Sequence, residues 1–266
     1  MKNRFLLFNT SIGVKKPESI KNKQQACPFC DREQLTGILA EEGSIMLLKN
    51  KFPVLENAFQ TVLIETDECE EEFSDYKEEH VHTLLQFGIK HWLDMERSGE
   101  YESVIFFKNH GPLSGGTIAH PHMQIIGLND IDYTENIDEE IFQGFMLAEI
   151  NGVEFTLSTS PRIGFYELNV QMSHYTYKEE FGRFVQVAVH YLLNHFPFKC
   201  SSYNIFFHHI NQKVYAKIVP RFVTTPLYIG YSIPQIPNNL EWMSRQIRSI
   251  YFKEGTDLLT QEQNKE

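Results

Sequence analysis

Residues 104–127 constrain the fold most strongly, because two apolar segments there flank a loop with the dipeptide Gly115-Gly116. The second apolar segment opens with His120 and continues through His122 and Gln124. Alternate side chains of a strand share one face, so this spacing predicts that the two imidazoles and the carboxamide project together. The loop beside them offers flexible backbone amides, which bind anions well. We interpret the segment as a strand–loop–strand unit that handles phosphate.

A long helix followed by an apolar strand occurs in both halves of the chain. Amphipathic patterns predict helices over 74–97, with Ser74 as the N-cap, and over 179–196. Each helix precedes a strand with the sequence Ile-Phe-Phe, at Ile105–Phe107 and at Ile205–Phe207. The matching order indicates an internal duplication. Antiparallel hairpins with intervening helices predict an α+β fold, a duplicated antiparallel sheet with helices packed on it.

Further elements follow from apolar runs and turn signals, the strongest of which is Asn151-Gly152. In the second copy Tyr215 and Lys217 stand at the His-x-His positions, so we expect the chemistry only in the first copy. The boundary is placed after residue 135, giving halves 1–135 and 136–266, with a polar arm over residues 1–26. The other predicted strands are 45–48, 61–64, 145–150, 153–159, 165–172, 203–210 and 214–222, and a last helix is predicted over 239–253.

Composition excludes several classes of protein. The net charge of −11 over 266 residues argues against general nucleic-acid binding, although a small site for a nucleotide can be locally positive. No apolar run approaches the roughly 20 residues that span a bilayer, and none resembles a secretion signal. We therefore expect a cytoplasmic protein that does not interact with membranes. A disulfide framework is not expected in that compartment.

The Cys27–Cys30 motif admits two interpretations, a metal knuckle or a redox dithiol. Its flanks are polar, whereas a redox motif follows a strand and opens a long helix, so the knuckle is favoured. Cys69 and His120 could complete a tetrahedral zinc set, which would be closed and therefore structural. Alternatively, Cys69 is an ordinary member of an exposed acidic run. Cys200 is interpreted as a core thiol.

With His120 on a metal, His122 is the candidate nucleophile. A neutral histidine attacks phosphorus well when its second ring nitrogen is held by an acceptor. Gln124 cannot act as an acid, but its amide can donate a hydrogen bond to a phosphate oxygen. The amides near Gly115-Gly116 would stabilise charge on the transferred group. The alternative is that His122 is a strand histidine with an ordinary structural hydrogen bond.

Four motifs carry a resemblance to a known family. They are Cys-x-x-Cys at 27–30, LLKNKFPVL at 47–55, Phe-x-Asn-x-Gly-x(3)-Gly from Phe107, and His-Pro-His-x-Gln at 120–124. Over residues 27–128 the chain resembles the galactose-1-phosphate uridylyltransferases of the histidine-triad (HIT) superfamily.

The resemblance implies that His122 attacks the α-phosphorus of a nucleotide sugar and forms a nucleotidyl-histidine intermediate, with Gln124 at the phosphate. It implies zinc on Cys27, Cys30 and His120, and Cys69 falls where relatives often have a fourth ligand. It also implies a homodimer. The residues implied near the base, ribose or phosphates are Asn50, Phe52, Asn109, Gly115, Gly116 and Thr117.

The second half departs from the family pattern. The family has a second metal site on an His-x-His strand, where this chain has Tyr215 and Lys217, and only His208 survives from that site. The sugar-contacting glutamate corresponds to Ser232, and a preceding lysine corresponds to Pro226. A basic N-terminal motif for the nucleotide phosphates is not evident.

These observations predict a nucleotidyltransferase that moves a nucleoside monophosphate, UMP-like, between a nucleotide sugar and a sugar 1-phosphate or phosphate. One alternative is a hydrolase or phosphorylase of nucleotide conjugates. Hydrolytic HIT proteins usually carry a further histidine where this chain has Gln124, which argues against water as the acceptor. A second alternative is a zinc-stabilised nucleotide-binding protein without turnover.

Overall fold

The computed structural model describes residues 5–20, 22, 26–173 and 176–253. These residues divide into two compact units, with the division after residue 137, and each unit combines an antiparallel sheet with a long helix. The α+β prediction is therefore confirmed. The boundary after residue 135 stays a prediction about where independently folding domains begin and end. Within the described part of the chain, no helix is both long and apolar enough to cross a bilayer.

The first unit has a five-stranded sheet in the order β1-β2-β3-β5-β4, with every neighbouring pair antiparallel. Helix α2 packs on β4 and β5. The buried indole of Trp92 donates a hydrogen bond to Val104 O at 2.8 Å, which fixes the helix on the sheet. The elements are α1 Thr10–Gly13, β1 Ile38–Glu42, β2 Ile45–Lys49, β3 Ala58–Ile64, α2 Glu78–Arg97, β4 Ser103–His110 and β5 His122–Leu128.

The second unit has the same topology, with the strand order β6-β7-β8-β10-β9. Its long helix α3 lies between β8 and β9 along the chain, as α2 lies between β3 and β4. Because both the chain order and the sheet order repeat, the predicted duplication is confirmed. The elements are β6 Gly144–Ile150, β7 Val153–Ser158, β8 Leu168–Ser173, α3 Glu179–Asn194, β9 Tyr203–Ile210, β10 Lys213–Pro220, α4 Pro226–Tyr231 and α5 Leu240–Tyr251.

The predicted start of the first long helix is wrong. Ser74 lies in a short 3-10 turn, Phe73–Asp75, and its backbone N–H donates to the Glu72 carboxylate at 2.7 Å. That local hydrogen bond closes a separate turn, and the chain stays extended at Lys77 before α2 begins at Glu78. Strand β1 is absent from the prediction because it is an exposed edge strand without an apolar face.

Two other expectations need correction. Residues 1–26 are not a free arm where the structure describes them, because Asn9 N donates to Val54 O at 2.8 Å and Ile20 N donates to Thr117 O at 3.1 Å. His120 precedes β5 rather than opening it. His122 is the first residue of that strand, paired with Ile64, and Pro121, which has no backbone N–H, stands just before it.

The side of the sheet on which the long helix packs relates the faces of the two copies. In the first unit, Ile125 of β5 pairs with Phe106, and the centroid of the Phe106 ring lies 5.9 Å from that of Trp92 on α2. Because neighbouring residues of a strand alternate between faces, His122 and Gln124 lie on the face away from the helix.

In the second unit, Ala216 of β10 pairs with Phe207, and the centroid of the Phe207 ring lies 6.5 Å from that of Phe181 on α3. By the same alternation, Tyr215 and Lys217 lie on the face away from the helix, which corresponds to the face of His122 and Gln124 in the first unit.

Lys217 forms a buried polar centre in the second unit. Its ammonium contacts Glu167 Oε2 at 2.9 Å, Ile141 O at 2.7 Å and Asn169 Oδ1 at 3.0 Å. The Glu167 carboxylate also accepts the backbone N–H groups of residues 162 and 163, both at 2.9 Å. Three ammonium donors meet three oxygen acceptors, so the buried charge is fully hydrogen-bonded.

Candidate functional site

The Cys27–Cys30 turn is fixed to the sheet by Phe29, which lies between the two cysteines. The Phe29 side chain is 8% exposed and belongs to a core cluster of β2 and β3 residues. A turn with its own apolar anchor holds both thiols at a defined place beside the sheet. The members of this cluster, besides Phe29, are Met46, Leu48, Val62 and Ile64.

Cys27, Cys30, Cys69 and His120 come together as predicted, with all four ligand atoms within 4.8 Å of one another. His120 Nδ1 lies 3.6 Å from the Sγ atoms of both Cys27 and Cys30. Sulfur and nitrogen ligands of one tetrahedral Zn²⁺ are separated by about 3.5 Å, given usual bond lengths of about 2.3 and 2.0–2.1 Å. The interpretation of Cys69 as an unrelated acidic-run residue is therefore wrong. This is the one such cluster among the residues that the structure describes.

The protonation of the thiols fits a divalent cation. Although partial burial disfavours the thiolate, hydrogen bonding with the His120 side chain and the Phe29 backbone lowers the pKa of Cys27 to about 6. Burial and the two neighbouring cysteines raise the pKa of Cys69 to about 12. The two neighbouring cysteines therefore oppose the ionisation of Cys69, and a bound Zn²⁺ would remove that opposition.

His120 is oriented by the segment that follows β3. Its Nε2–H donates to Thr66 O at 2.9 Å, which leaves Nδ1 for the cysteines. Glu65, the residue before Thr66, is buried and forms an ion pair with Lys108. Its carboxylate also accepts a hydrogen bond from the Tyr76 hydroxyl at 3.1 Å. Its backbone oxygen also accepts His80 Nε2–H at 2.9 Å. These contacts hold the Thr66 carbonyl in place for the metal cluster.

His122 begins β5 and is 8% exposed. Its Nδ1 lies 2.7 Å from the backbone oxygen of His120, so Nδ1 carries the proton and Nε2 keeps its lone pair. Burial is the main reason that the pKa of His122 falls to about 4, and the hydrogen bond to His120 partly opposes this shift. The imidazole is therefore neutral at pH 7, which is the state that can attack an electrophile.

A cavity of about 370 Å³ lies beside His122. Its wall combines the predicted polar groups with apolar side chains from the core cluster and its surroundings, among them Leu35, Leu48 and Ile118. All of the residues predicted to bind nucleotide or to act on it line this one cavity: Asn50, Phe52, Asn109, Gly115, Gly116, Thr117, His122 and Gln124. Their roles in binding and catalysis stay predictions.

The loop of the cavity wall is held in one conformation. Gly115 has φ of +88°, which suits glycine, and a Cβ on Gly116 would lie 3.2 Å from the Asn109 side chain. Ser114 Oγ donates to Gly111 O at 2.7 Å and accepts Gly116 N–H at 3.2 Å. The loop therefore approaches β4 closely and presents fixed backbone amides.

Sequence reasoning missed two cations in the cavity wall, Lys16 and Lys51. Lys16 lines the cavity together with Pro17, and burial lowers the pKa of its amine. Its charge is close enough to His122 to lower the pKa of the imidazole. The dipeptide Lys15-Lys16 is visible in the sequence, but only the fold places one of the two at the site. Asp31 and Gln34 are further polar wall residues that were not predicted.

Comparison with known proteins places the chain in a family. Models for the N-terminal and C-terminal domains of DUF4931, a domain of unknown function, match residues 8–131 and 134–252. A DUF4931 family protein from Bacillus cereus ATCC 10987 is 47% identical, covers 80% of this chain and 98% of its own, and has a TM-score of 0.73. No curated protein sequence matches the chain.

Two more distant structures share the fold. A GalT-like protein from Arabidopsis thaliana is 17% identical, with a TM-score of 0.71, and covers 86% of this chain and 93% of its own. An ADP-glucose phosphorylase from Arabidopsis thaliana, with bound ADP-glucose, is 16% identical, with a TM-score of 0.69, and covers 87% of this chain and 94% of its own. The chain belongs to the DUF4931 family, and it shares its fold with the GalT-like protein.

Proposed function

We propose that this protein is a nucleotidyltransferase that works through a nucleotidyl-His122 intermediate. The observation that carries the proposal is the geometry of His122: its ring lies in the cavity wall, with Nδ1–H held by the His120 carbonyl and Nε2 left with its lone pair. A histidine held in this way is activated without an additional base.

In the first half-reaction, Nε2 attacks the α-phosphorus of a nucleoside diphosphate sugar. A P–N bond forms, the bond from the α-phosphorus to the bridging oxygen breaks, and its electron pair leaves with the sugar 1-phosphate. In the second half-reaction, an oxygen of the acceptor phosphate attacks the same phosphorus, and the P–N electrons return to Nε2. Nδ1 keeps its proton throughout, so the hydrogen bond to His120 O persists.

The wall residues supply the remaining roles in this proposal. The Gln124 amide and the loop amides at Gly115 and Thr117 stabilise charge on the transferred phosphoryl group, while the Gly116 N–H, which donates to Ser114 Oγ, helps to hold the loop. Lys16 supplies the positive charge there, and Asn109 also contacts the phosphates. Asn50 and Phe52 bind the base and ribose. Asn50 Oδ1 already accepts the Phe52 N–H at 2.8 Å, which fixes that turn.

The donor is proposed to be a UMP-containing nucleotide sugar, and the acceptor a sugar 1-phosphate or inorganic phosphate. The ADP-glucose bound to the phosphorylase with the same fold is a nucleoside diphosphate sugar, which supports this substrate class. We further propose that Zn²⁺ binds Cys27, Cys30, Cys69 and His120 in a closed, structural site. A homodimer and a cytoplasmic location remain parts of the proposal, as do the expected lack of nucleic-acid and membrane binding.

The test is the intact mass of the protein after incubation with UDP-glucose, ADP-glucose and other nucleotide sugars, without an acceptor. One nucleoside monophosphate per chain is expected, labile to acid as a P–N bond is, and removed by sugar 1-phosphate or phosphate. His122→Ala should form no adduct, whereas His91→Ala should react normally, because His91 lies on α2 and does not line the cavity. No adduct with any donor, in folded protein with its zinc, would refute the proposal.

A further inference from the structure

Both restraints on the His122 ring lead to residues of the metal knuckle. The first is the hydrogen bond from Nδ1 to the backbone oxygen of His120, one of the four clustered ligand residues. The second is Phe29, which stands between Cys27 and Cys30. The centroid of the Phe29 ring lies 5.4 Å from that of the His122 ring, with the planes at 67°.

One hydrogen bond does not fix the plane of an imidazole. It directs Nδ1, but χ2 of histidine is a broad torsion, so the ring can still tilt about that contact. An edge-to-face aromatic contact supplies the missing restraint, because aromatic rings prefer this geometry at centroid separations of 4.5–7 Å. With Nδ1 and the ring plane both held, the position of Nε2 is determined.

The Phe29 ring is itself firmly held. It packs against the rings of both His120, at 5.8 Å and 87°, and His122. Its other surroundings are the buried side chains of Met46, Leu48, Val62 and Ile64. Phe29 is also part of the cavity wall. It therefore couples the metal knuckle on one side to the candidate nucleophile on the other.

We propose that Phe29 is a positioning residue, which fixes the His122 imidazole for attack and makes that orientation depend on the metal knuckle. The role of this orientation in catalysis rests on the proposed function, whereas the orientation itself does not depend on it. The metal site then does more than stabilise the fold. It sets the direction of Nε2 through the His120 carbonyl and the Phe29 ring.

The first measurement uses the zinc-loaded wild-type protein without substrate. NOEs between the ring protons of Phe29 and His122 are expected, together with an Nδ1–H tautomer for His122 in long-range ¹H–¹⁵N spectra. Phe29→Leu keeps an apolar side chain but removes the aromatic edge-to-face contact. It should retain the wild-type zinc content while the His122 ring resonances shift or broaden. Met46→Leu, in the same core cluster, is the matched packing control and should leave those resonances unchanged.

The second measurement is the single-turnover rate of adduct formation. A misdirected Nε2 should slow Phe29→Leu by about 10- to 100-fold with little change in the half-saturating donor concentration. Missing ring-to-ring NOEs, unchanged His122 resonances in Phe29→Leu, or equal changes in Met46→Leu would each overturn the positioning role. Wild-type protein that forms no adduct would refute the proposed function instead, while the spectra would still decide whether Phe29 orients the ring.

Discussion

Lys217→Met should strongly destabilise the second unit. The Lys217 and Glu167 side chains are 2% and 0% exposed, so their ion pair is screened very little by water. Burial lowers the pKa of Lys217, and the Glu167 carboxylate opposes that shift. The substitution keeps an apolar stem of similar length, so the loss of the ammonium is the main change.

The size of the stability loss depends on which hydrogen-bond donors remain for each acceptor of the Lys217 ammonium. Removing one partner of a buried ion pair usually destabilises a protein by about 3–5 kcal/mol. Glu167 still accepts the two backbone N–H groups of residues 162 and 163, and Ile141 O still accepts Ser158 Oγ–H at 3.0 Å. Asn169 Oδ1 loses its donor from Lys217. We therefore expect the lower end of the range, about 3 kcal/mol.

Urea unfolding followed by circular dichroism measures this change, provided that the slope of the transition is unaltered. Lys90→Met is the matched control, because the Lys90–Asp94 pair is 3.6 Å apart with side chains 65% and 46% exposed. That control should lose less than about 1 kcal/mol. Adding Glu167→Gln to Lys217→Met should destabilise the protein less than the sum of the single changes, by at least about 1 kcal/mol.

A loss for Lys217→Met no larger than that of the exposed control would refute the reasoning. Additive effects of the two substitutions would also contradict it, because they would mean that the charges do not stabilise each other. Zinc content should not change in any of these variants, since the cluster of cysteines and His120 belongs to the first unit.

Three further predictions concern the first unit. Cys27→Ser should lower both zinc content and stability, measured by elemental analysis and urea unfolding, and full zinc retention in a Cys27/Cys69 double variant would contradict the ligand assignment. Lys16→Met should raise the nucleotide-sugar concentration needed for adduct formation by about tenfold, because roughly one charge-assisted hydrogen bond is lost. Lys15→Met is the control and should leave that concentration unchanged. Gly88→Ala would place a methyl group 2.8 Å from a β4 phenylalanine ring and should lower the unfolding free energy by about 1–3 kcal/mol; an unchanged urea midpoint would contradict that close packing.

The sequence predicted the site well where the relevant residues are local. His122 and Gln124 share one strand, and alternation along a strand is enough to place both at the same cavity. The Cys27–Cys30 spacing, together with its polar flanks, likewise favoured a metal knuckle over a redox dithiol. Cys69 was harder, because its contact with the knuckle depends on the path of the chain after β3, and the resemblance rather than the spacing favoured it.

Long-range polar contacts could not be predicted in the same way. Lys16 reaches the cavity through the chain between α1 and the glycine loop, which no local pattern specifies. The buried Lys108–Glu65 pair joins two strand ends, and each residue alone looks like an ordinary surface charge in the sequence. Strand β1 was not predicted for a related reason. Its residues pair with β2 through backbone hydrogen bonds, and it has no buried apolar face that would appear as a pattern in the sequence.

The duplicated topology shows how the two halves can carry different chemistry on the same fold. The face of β5 that carries His122 and Gln124 corresponds on β10 to the face that carries Tyr215 and Lys217. There Lys217 places a positive charge beside the buried Glu167 carboxylate, from within the chain itself. Its three ammonium donors are all used by oxygen atoms of the second unit, so they stabilise that unit and none remains for a phosphate group. We therefore expect the chemistry only in the first unit, where an imidazole on the corresponding face lines the cavity.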